Sequence, residues 1–200
     1  MCFFSKISKT AQEVENRFNA KFDNQQDFKP SVYNGFQFPK TPVITNVDLN
    51  RIQLFQWGLI PSWAKDDSIK KYTLNAKIET LKEKPSFKNS INKRCLVISD
   101  GFFEWQWLDE KGTQKKRYLV TLPNKELFAF AGLWSEWTTK QSNEKIYSYT
   151  IITTEANELM SKIHNSKKRM PVILALENEK DWLNGNELIM QNDRLIAVES

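Results

Sequence analysis

The chain is poor in the residues that build most metal and redox centres, with one histidine and two cysteines in 200 residues. A single imidazole and no Cys-x-x-Cys cannot supply the ligands of a structural zinc site, so no metal or other cofactor is expected. Its six glycines fall into neither a G-x-G-x-x-G fingerprint nor a P-loop, which argues against a dinucleotide fold or an NTPase. No apolar run approaches the roughly 20 residues that a membrane span needs, and the N-terminus lacks the long apolar stretch of a secretory signal. A cytoplasmic protein with no membrane partner is expected. Internal repeats and low-complexity tracts are also missing.

What the chain does have is core-forming material. Hydrophobic residues make up 40% of it, with seven tryptophans, enough for one domain over residues 1–200 with a sizeable core. Lysine and arginine number 29 against 24 acidic residues, a net charge of +5. The excess is clustered at Lys70-Lys71, Lys115-Lys116-Arg117 and Lys167-Lys168-Arg169. Any one such cluster is usually a solvated face. Several of them beside many aromatic rings fit nucleic acid, where cations hold phosphates and rings stack on bases.

Thr10-Ala11-Gln12-Glu13 has the form of a capping box, and Ala11, Val14, Phe18 and Phe22 follow at helical spacing, which predicts a helix from 10 to about 22. Short β-branched and aromatic runs predict strands at Pro42–Thr45, Ile52–Trp57, Arg94–Ile98, Phe102–Trp107, Tyr118–Leu122, Leu127–Leu133 and Ile146–Thr153. Further helices are expected at Ala76–Lys84, at Glu155–Ile163 with Thr154 as N-cap, and at Glu177–Leu183 closed by Gly185. The class is α+β: a mainly antiparallel, curved or barrel-like sheet core with flanking helices. Cys95, inside Arg94-Cys95-Leu96-Val97-Ile98, reads as a core residue, and no disulfide to Cys2 is expected.

Cys2 follows the initiator methionine, and removal of Met1 would leave a 1,2-aminothiol at the terminus. Its amine titrates at about 7.7–8.0 and its thiol at about 8.5, so both are nucleophiles near neutral pH. With an aldehyde, the amine forms a Schiff base that the adjacent thiol closes to a thiazolidine, which no internal cysteine can do. Such a residue needs an acid/base partner. In Asp100-Gly101-Phe102-Phe103-Glu104-Trp105, strand alternation puts Glu104 on the face of Phe102, away from Phe103 and Trp105. Aromatic surroundings would raise its pKa toward the acid/base range, unless the strand is an edge with Glu104 facing water. The sole histidine, His164, follows a predicted helix whose C-terminus would favour the protonated ring. Asn75 stands at a loop-to-helix boundary, where an ordinary N-cap is the competing role. The loop Trp57-Gly58-Leu59-Ile60-Pro61-Ser62-Trp63 is expected to present flat rings.

Together, Met1-Cys2, the Trp57–Trp63 loop, Asn75-Ala76-Lys77-x-Glu79-Thr80, Arg94-Cys95-Leu96 with Asp100 to Trp105, and His164 with Arg169-Met170-Pro171-Val172-Ile173-Leu174 run in order from residue 2 to residue 174. In this they resemble the SRAP family, the SOS response-associated peptidase-like proteins that attach to abasic sites in single-stranded DNA. The resemblance implies that Cys2 forms a thiazolidine with the ring-opened abasic sugar, with Glu104 as general acid/base. His164 would assist proton transfer and Asn75 would hold the opened sugar. It further implies backbone contacts from Lys77, Thr80, Arg169, Lys167 and Lys168, and stacking by Trp57, Trp63 and Trp105. Strand cleavage by β-elimination and peptidase action on the chain's own Met1 are implied as accompanying activities, and a monomer is expected. The chain departs from the family's pattern in Phe3-Phe4 after Cys2, where Gly-Arg is usual, in Lys77 for arginine, and in the longer spacing from His164 to Arg169. Two other readings stay open: a cysteine peptidase acting in trans through Cys2, His164 and Glu104, and a noncovalent nucleic-acid-binding module in which Cys2 is incidental.

Overall fold

The structure is a computed structural model that describes residues 2–186 and 194–200; Met1 lies outside the described residues. In chain order, β1 (Phe4–Ile7) leads into α1 (Ala11–Phe18), β2 (Lys21–Phe22), β3 (Ser31–Asn34), β4 (Lys40–Thr45), β5 (Asp48–Trp57) and β6 (Asn75–Lys77). Next come α2 (Pro85–Lys88), β7 (Arg94–Ser99), β8 (Gly101–Trp107), β9 (Lys115–Thr121), β10 (Phe128–Thr138) and β11 (Lys145–Glu155). The chain finishes with α3 (Glu158–Ile163), β12 (Arg169–Pro171), β13 (Ile173–Leu174), α4 (Glu179–Leu183) and β14 (Ile196–Glu199).

Antiparallel pairing runs from β11 through β10, β7 and β4 to β5, and a parallel register of β5 on β11, Tyr149 against Trp57, closes the ring. The result is a five-stranded barrel, which leaves none of these strands with a long unpaired edge. A second, antiparallel sheet runs in the order β14, β9, β8, β1, β3. The chain passes between the two at the β7 to β8 junction. There Asp100 Oδ2 accepts from the Ser8 amide at 2.7 Å and from Ser8 Oγ at 2.5 Å, locking the end of β1 beside it.

Strand alternation divides the barrel residues between two cores. Ile44, Leu96, Ile98, Ala129 and Leu133 pack under α1 and α4. Val43, Val97, Phe130, Tyr149 and Ile151 form the other core, which continues into Phe102 and Val120 of the second sheet and includes Cys2. Cys2 thus sits at the seam where barrel and second sheet share a core.

The α+β class and the barrel agree with the sequence reading, and each expected strand is present. The first helix carries its capping box, with Thr10 and Glu13 bonded reciprocally, but ends at Phe18 because Asn19 turns left-handed at φ 48°. Lys21 and Phe22 then pair with β5. No helix spans Ala76–Lys84. Asn75–Lys77 instead adds in parallel to β11, a 3₁₀ turn covers Ile78–Thr80, and Lys84 is extended ahead of Pro85, which opens α2. The third helix begins at cap Asn157 rather than Thr154, since β11 continues to Glu155 in register with Arg169. Gly185, at φ +95°, follows α4 as expected.

Candidate active site

The short strand β1 carries Cys2 to the seam. It is paired on one side with β8, Phe4 opposite Phe103, and on the other with β3, Phe4 opposite Asn34. Cys2 is fully buried, and Asn75 donates its side-chain amide to the Cys2 carbonyl oxygen at 2.8 Å. The Asn75 Oδ1 atom is buried without a hydrogen-bond partner among the described residues, so it can accept from a donor brought to Cys2. Asn75 is therefore a strand residue holding the main chain of Cys2, not a helix cap.

Trp57 underlies this arrangement. Its ring is fully buried, stacked on Tyr149 with centroids 6.2 Å apart, and its Nε1 donates to the Leu74 carbonyl at 2.9 Å. That bond fixes the residue preceding Asn75. Over the same ring passes Gly35, whose amide donates to Phe3 O at 2.8 Å. A Cβ on Gly35 would lie 3.3 Å from both Phe3 O and the indole, so any larger residue would push these neighbours by a few tenths of an ångström. The expectation that Trp57 stacks on a base is corrected: a fully buried ring offers no face to a ligand, and its work is to set the backbone on either side of Cys2.

Glu104 lies on β8 on the Phe102 face, as alternation predicted, and is 3% exposed. Burial pushes its carboxyl up to about 7, because an ionised carboxylate loses its hydration there. Burial first, and then the negative charge of Glu104, raises the Cys2 thiol well above its ordinary value. The thiol is thus neutral near pH 7. That disfavours a resting thiolate of the kind cysteine peptidases employ.

His164 caps the end of α3 and is buried. Its ring is not favoured in the protonated form, contrary to the helix-terminus expectation. Burial chiefly, with neighbouring positive charges including Lys167 and Arg169, brings it down to about 4. At one helix terminus, desolvation outweighs the dipole. Nδ1 lies 2.8 Å from the Arg169 carbonyl and 3.2 Å from the Arg169 amide, so the main chain of one residue offers it both an acceptor and a donor and fixes the ring's orientation. Asn165, which the sequence reading passed over, bonds the main chain of Trp107 twice, at 3.0 and 2.8 Å. It ties the turn after His164 to the strand that bears Glu104; an Asn directly beside the lone histidine was the available signal.

Arg169 is not a free cation. Its guanidinium makes a bidentate pair with Glu79, at 2.7 and 2.9 Å, and also donates to Thr153 O at 2.7 Å. A phosphate reaching Arg169, the contact expected from the sequence, would have to compete with Glu79 for the guanidinium. Lys77, Lys167 and Lys168 are exposed, and Thr80 is half-buried at the end of its 3₁₀ turn. Trp63 is 50% exposed with Nε1 3.3 Å from Pro85 O, and half-buried Trp105 packs against Phe4 at 5.1 Å. Among the described residues no cluster of three or more His, Cys, Asp or Glu stands ready to hold a metal ion, and no helix is long and apolar enough to cross a membrane.

A family model described as SOS response associated peptidase (SRAP) matches residues 1–197. Abasic site processing protein YoqW of Bacillus subtilis is 42% identical over 189 residues, spanning 92% of this chain and 80% of that protein. Abasic site processing protein HMCES of Gallus gallus is 36% identical over 157 residues, 66% of this chain and 45% of the relative. The crystal structure of a protein from Bacteroides thetaiotaomicron superposes with a TM-score of 0.89 at 34% identity, covering 99% of this chain and 91% of the other.

Proposed function

The chain belongs to the SOS response associated peptidase family, and from that premise we propose that it processes abasic sites in DNA by forming a covalent thiazolidine through Cys2, so shielding the lesion. The observation that carries this reading is the buried carboxyl of Glu104, raised to about 7, acting on the thiol of a Cys2 whose carbonyl is held by Asn75. A group with that pKa is present in both protonation states at neutral pH and can give and take a proton in turn.

The steps follow from the chemistry of a 1,2-aminothiol. Once Met1 is removed, the Cys2 amine adds to the C1′ aldehyde of the opened sugar. Protonated Glu104 gives its proton to the departing hydroxyl, water leaves, and an iminium forms. The neutral Cys2 thiol then attacks the iminium carbon, and its proton passes to the Glu104 carboxylate. The balance is aldehyde plus aminothiol to thiazolidine plus water. Asn75 Oδ1 would accept from a sugar hydroxyl, and neutral His164 would relay the proton that opens the ring.

Single-stranded DNA is the proposed substrate form, with Lys77, Lys167 and Lys168 on phosphates, Thr80 beside them, and the partly exposed rings of Trp63 and Trp105 stacking on bases. One domain over residues 1–200 would act as a monomer. Proton abstraction from the iminium would make strand cleavage a side reaction, and the same groups would serve release of Met1.

The test is intact mass spectrometry after incubation with an abasic oligonucleotide. An adduct equal to protein without Met1 plus DNA minus water is expected, and none after the aldehyde is reduced to an alcohol. An adduct of unchanged yield with the reduced sugar would overturn the reading.

A further inference from the structure

Immediately beyond Asn75 the surface opens into a groove of about 240 Å³ lined by Phe3, Phe36, Lys71, Tyr72, Leu74 and Asn75. Asn75 belongs to both places: its amide holds the carbonyl of Cys2 and it also lines the groove. The rings on the walls are unusually bare, Phe36 being 55% and Tyr72 75% exposed. Phe36 meets Phe3 at 4.7 Å between centroids, inclined by 34°. Lys71 Nζ stands 5.0 Å from the centre of the Tyr72 ring, so a cation sits at the groove's edge.

These rings are carried on fixed backbone. Asn34 Oδ1 accepts from the Phe36 amide at 3.0 Å, and the Gly35 amide is bonded to Phe3 O. Tyr72 ends a 3₁₀ helix whose cap residue, Thr73, donates its hydroxyl to Leu59 O at 2.7 Å. Exposed apolar rings held rigidly beside a reactive residue suit a flat apolar ligand, since little ordering entropy remains to be lost on binding. The lysine adds an affinity for negative charge. Flat aromatic faces linked by a phosphate are the chemistry of a nucleotide.

We propose that this groove binds the nucleobase adjacent to the abasic sugar, stacked on Phe36 and Tyr72 with its phosphate toward Lys71. The inference rests on the reading of abasic DNA as substrate. An abasic gap leaves the neighbouring base without a stacking partner on one face, and the aromatic walls supply one. In the chain's Phe3-Phe4, the first ring becomes part of the wall where the family usually has glycine. Because stacking strength grows with ring area, a purine neighbour is favoured over a pyrimidine.

The experiment uses the whole protein and an oligonucleotide containing a tetrahydrofuran abasic analogue, which has no aldehyde, flanked by 2-aminopurine on the 5′ or the 3′ side. Quenching of the fluorophore on one side is expected with wild type and with Phe36→Tyr. Phe36→Ala and Tyr72→Ala should relieve it and weaken binding about 5- to 100-fold, the range of a lost base–aromatic stack. Equal quenching in wild type and both alanine variants on both sides would overturn the groove assignment, as would competition for the groove by an apolar peptide but not by DNA. Crosslinking to authentic abasic DNA keeps the two readings apart. Adducts forming at wild-type rate in both alanine variants reject the groove alone, whereas no adduct with any protein rejects the Cys2 chemistry.

Discussion

Arg169 and Glu79 form a bidentate ion pair, with N to O distances of 2.7 and 2.9 Å, between the start of β12 and the 3₁₀ turn after β6. The Arg169 side chain is only 12% exposed while its main chain lies against Nδ1 of His164, the carbonyl at 2.8 Å and the amide at 3.2 Å. Glu79 therefore reaches the histidine at one remove, as a positioning residue. Glu79→Ala leaves a mostly buried guanidinium half-satisfied and should cost about 1–3 kcal/mol, read as a lower urea midpoint. It should also slow crosslinking, and Glu79→Asp should restore part of the loss. If stability falls while the crosslinking rate and the His164 titration are unmoved, the pair is structural only.

Glu104 yields a pH prediction with a definite sign. Its folded pKa, about 7, lies above the ordinary carboxylate value. The stability it contributes is complete below about 4.5 and is lost as pH rises through 7, because the folded state holds the proton longer. Wild type should lose up to about 3 kcal/mol between pH 5 and 8 from this group, and Glu104→Gln should not. The same variant should crosslink about 10²–10⁴-fold more slowly. Its rate should lack the inflection near pH 7 that wild type shows. Parallel stability profiles of the two proteins would refute the raised pKa.

For His164 the sign is opposite in origin. Its folded value, about 4, lies below that of a free imidazole, so the unfolded chain takes up its proton first and stability declines as pH falls from about 6.5 toward 4. Nitrogen-15 NMR of the imidazole should report a neutral ring at pH 6. A charged ring at that pH would contradict the burial argument.

The tryptophans of the 57–63 loop should separate cleanly. Trp57→Phe removes a donor from the buried Leu74 carbonyl and opens a void. It should cost about 2–4 kcal/mol in chemical denaturation. Trp63→Ala should change stability by less than about 1 kcal/mol but weaken single-stranded DNA binding several-fold. Reversed outcomes would restore Trp57 to the DNA surface.

Cys2→Ala keeps the terminal amine and lacks the thiol, so only a hydrolysable imine can form. No stable adduct is expected by mass spectrometry, while borohydride should trap a reduced imine. Inserting one residue between Met1 and Cys2 should be as damaging to the stable adduct, since thiol and amine would no longer be adjacent.

Much of the architecture is legible along the chain because its determinants are local. Period-two runs mark the strands of the barrel, and the capping box at Thr10 starts α1 without help from distant residues. The segment after Asn75 was misread because its helical pattern competes with an open edge on β11. Pairing with Ile151 and Thr153 supplies main-chain partners that a solitary helix there would not. The strands β1, β3 and β14 are too short for periodicity to reveal.

Sequence alone determined the chemical inventory: an aminothiol at residue 2 once Met1 is gone, one carboxylate among aromatics, one histidine, and surface lysines. These are properties of residue types and immediate neighbours, and alternation along β8 sufficed to turn Glu104 toward Phe102. Only the tertiary structure decided which of those groups could act. The protonation states of Glu104, Cys2 and His164 depend on desolvation, which is set by residues remote in sequence. Closure of β5 on β11 buried Trp57, and the meeting of β6 with β12 across β11 joined Arg169 to Glu79 and removed both from the list of free ligands. Burial and pairing between distant segments are collective properties of the folded chain.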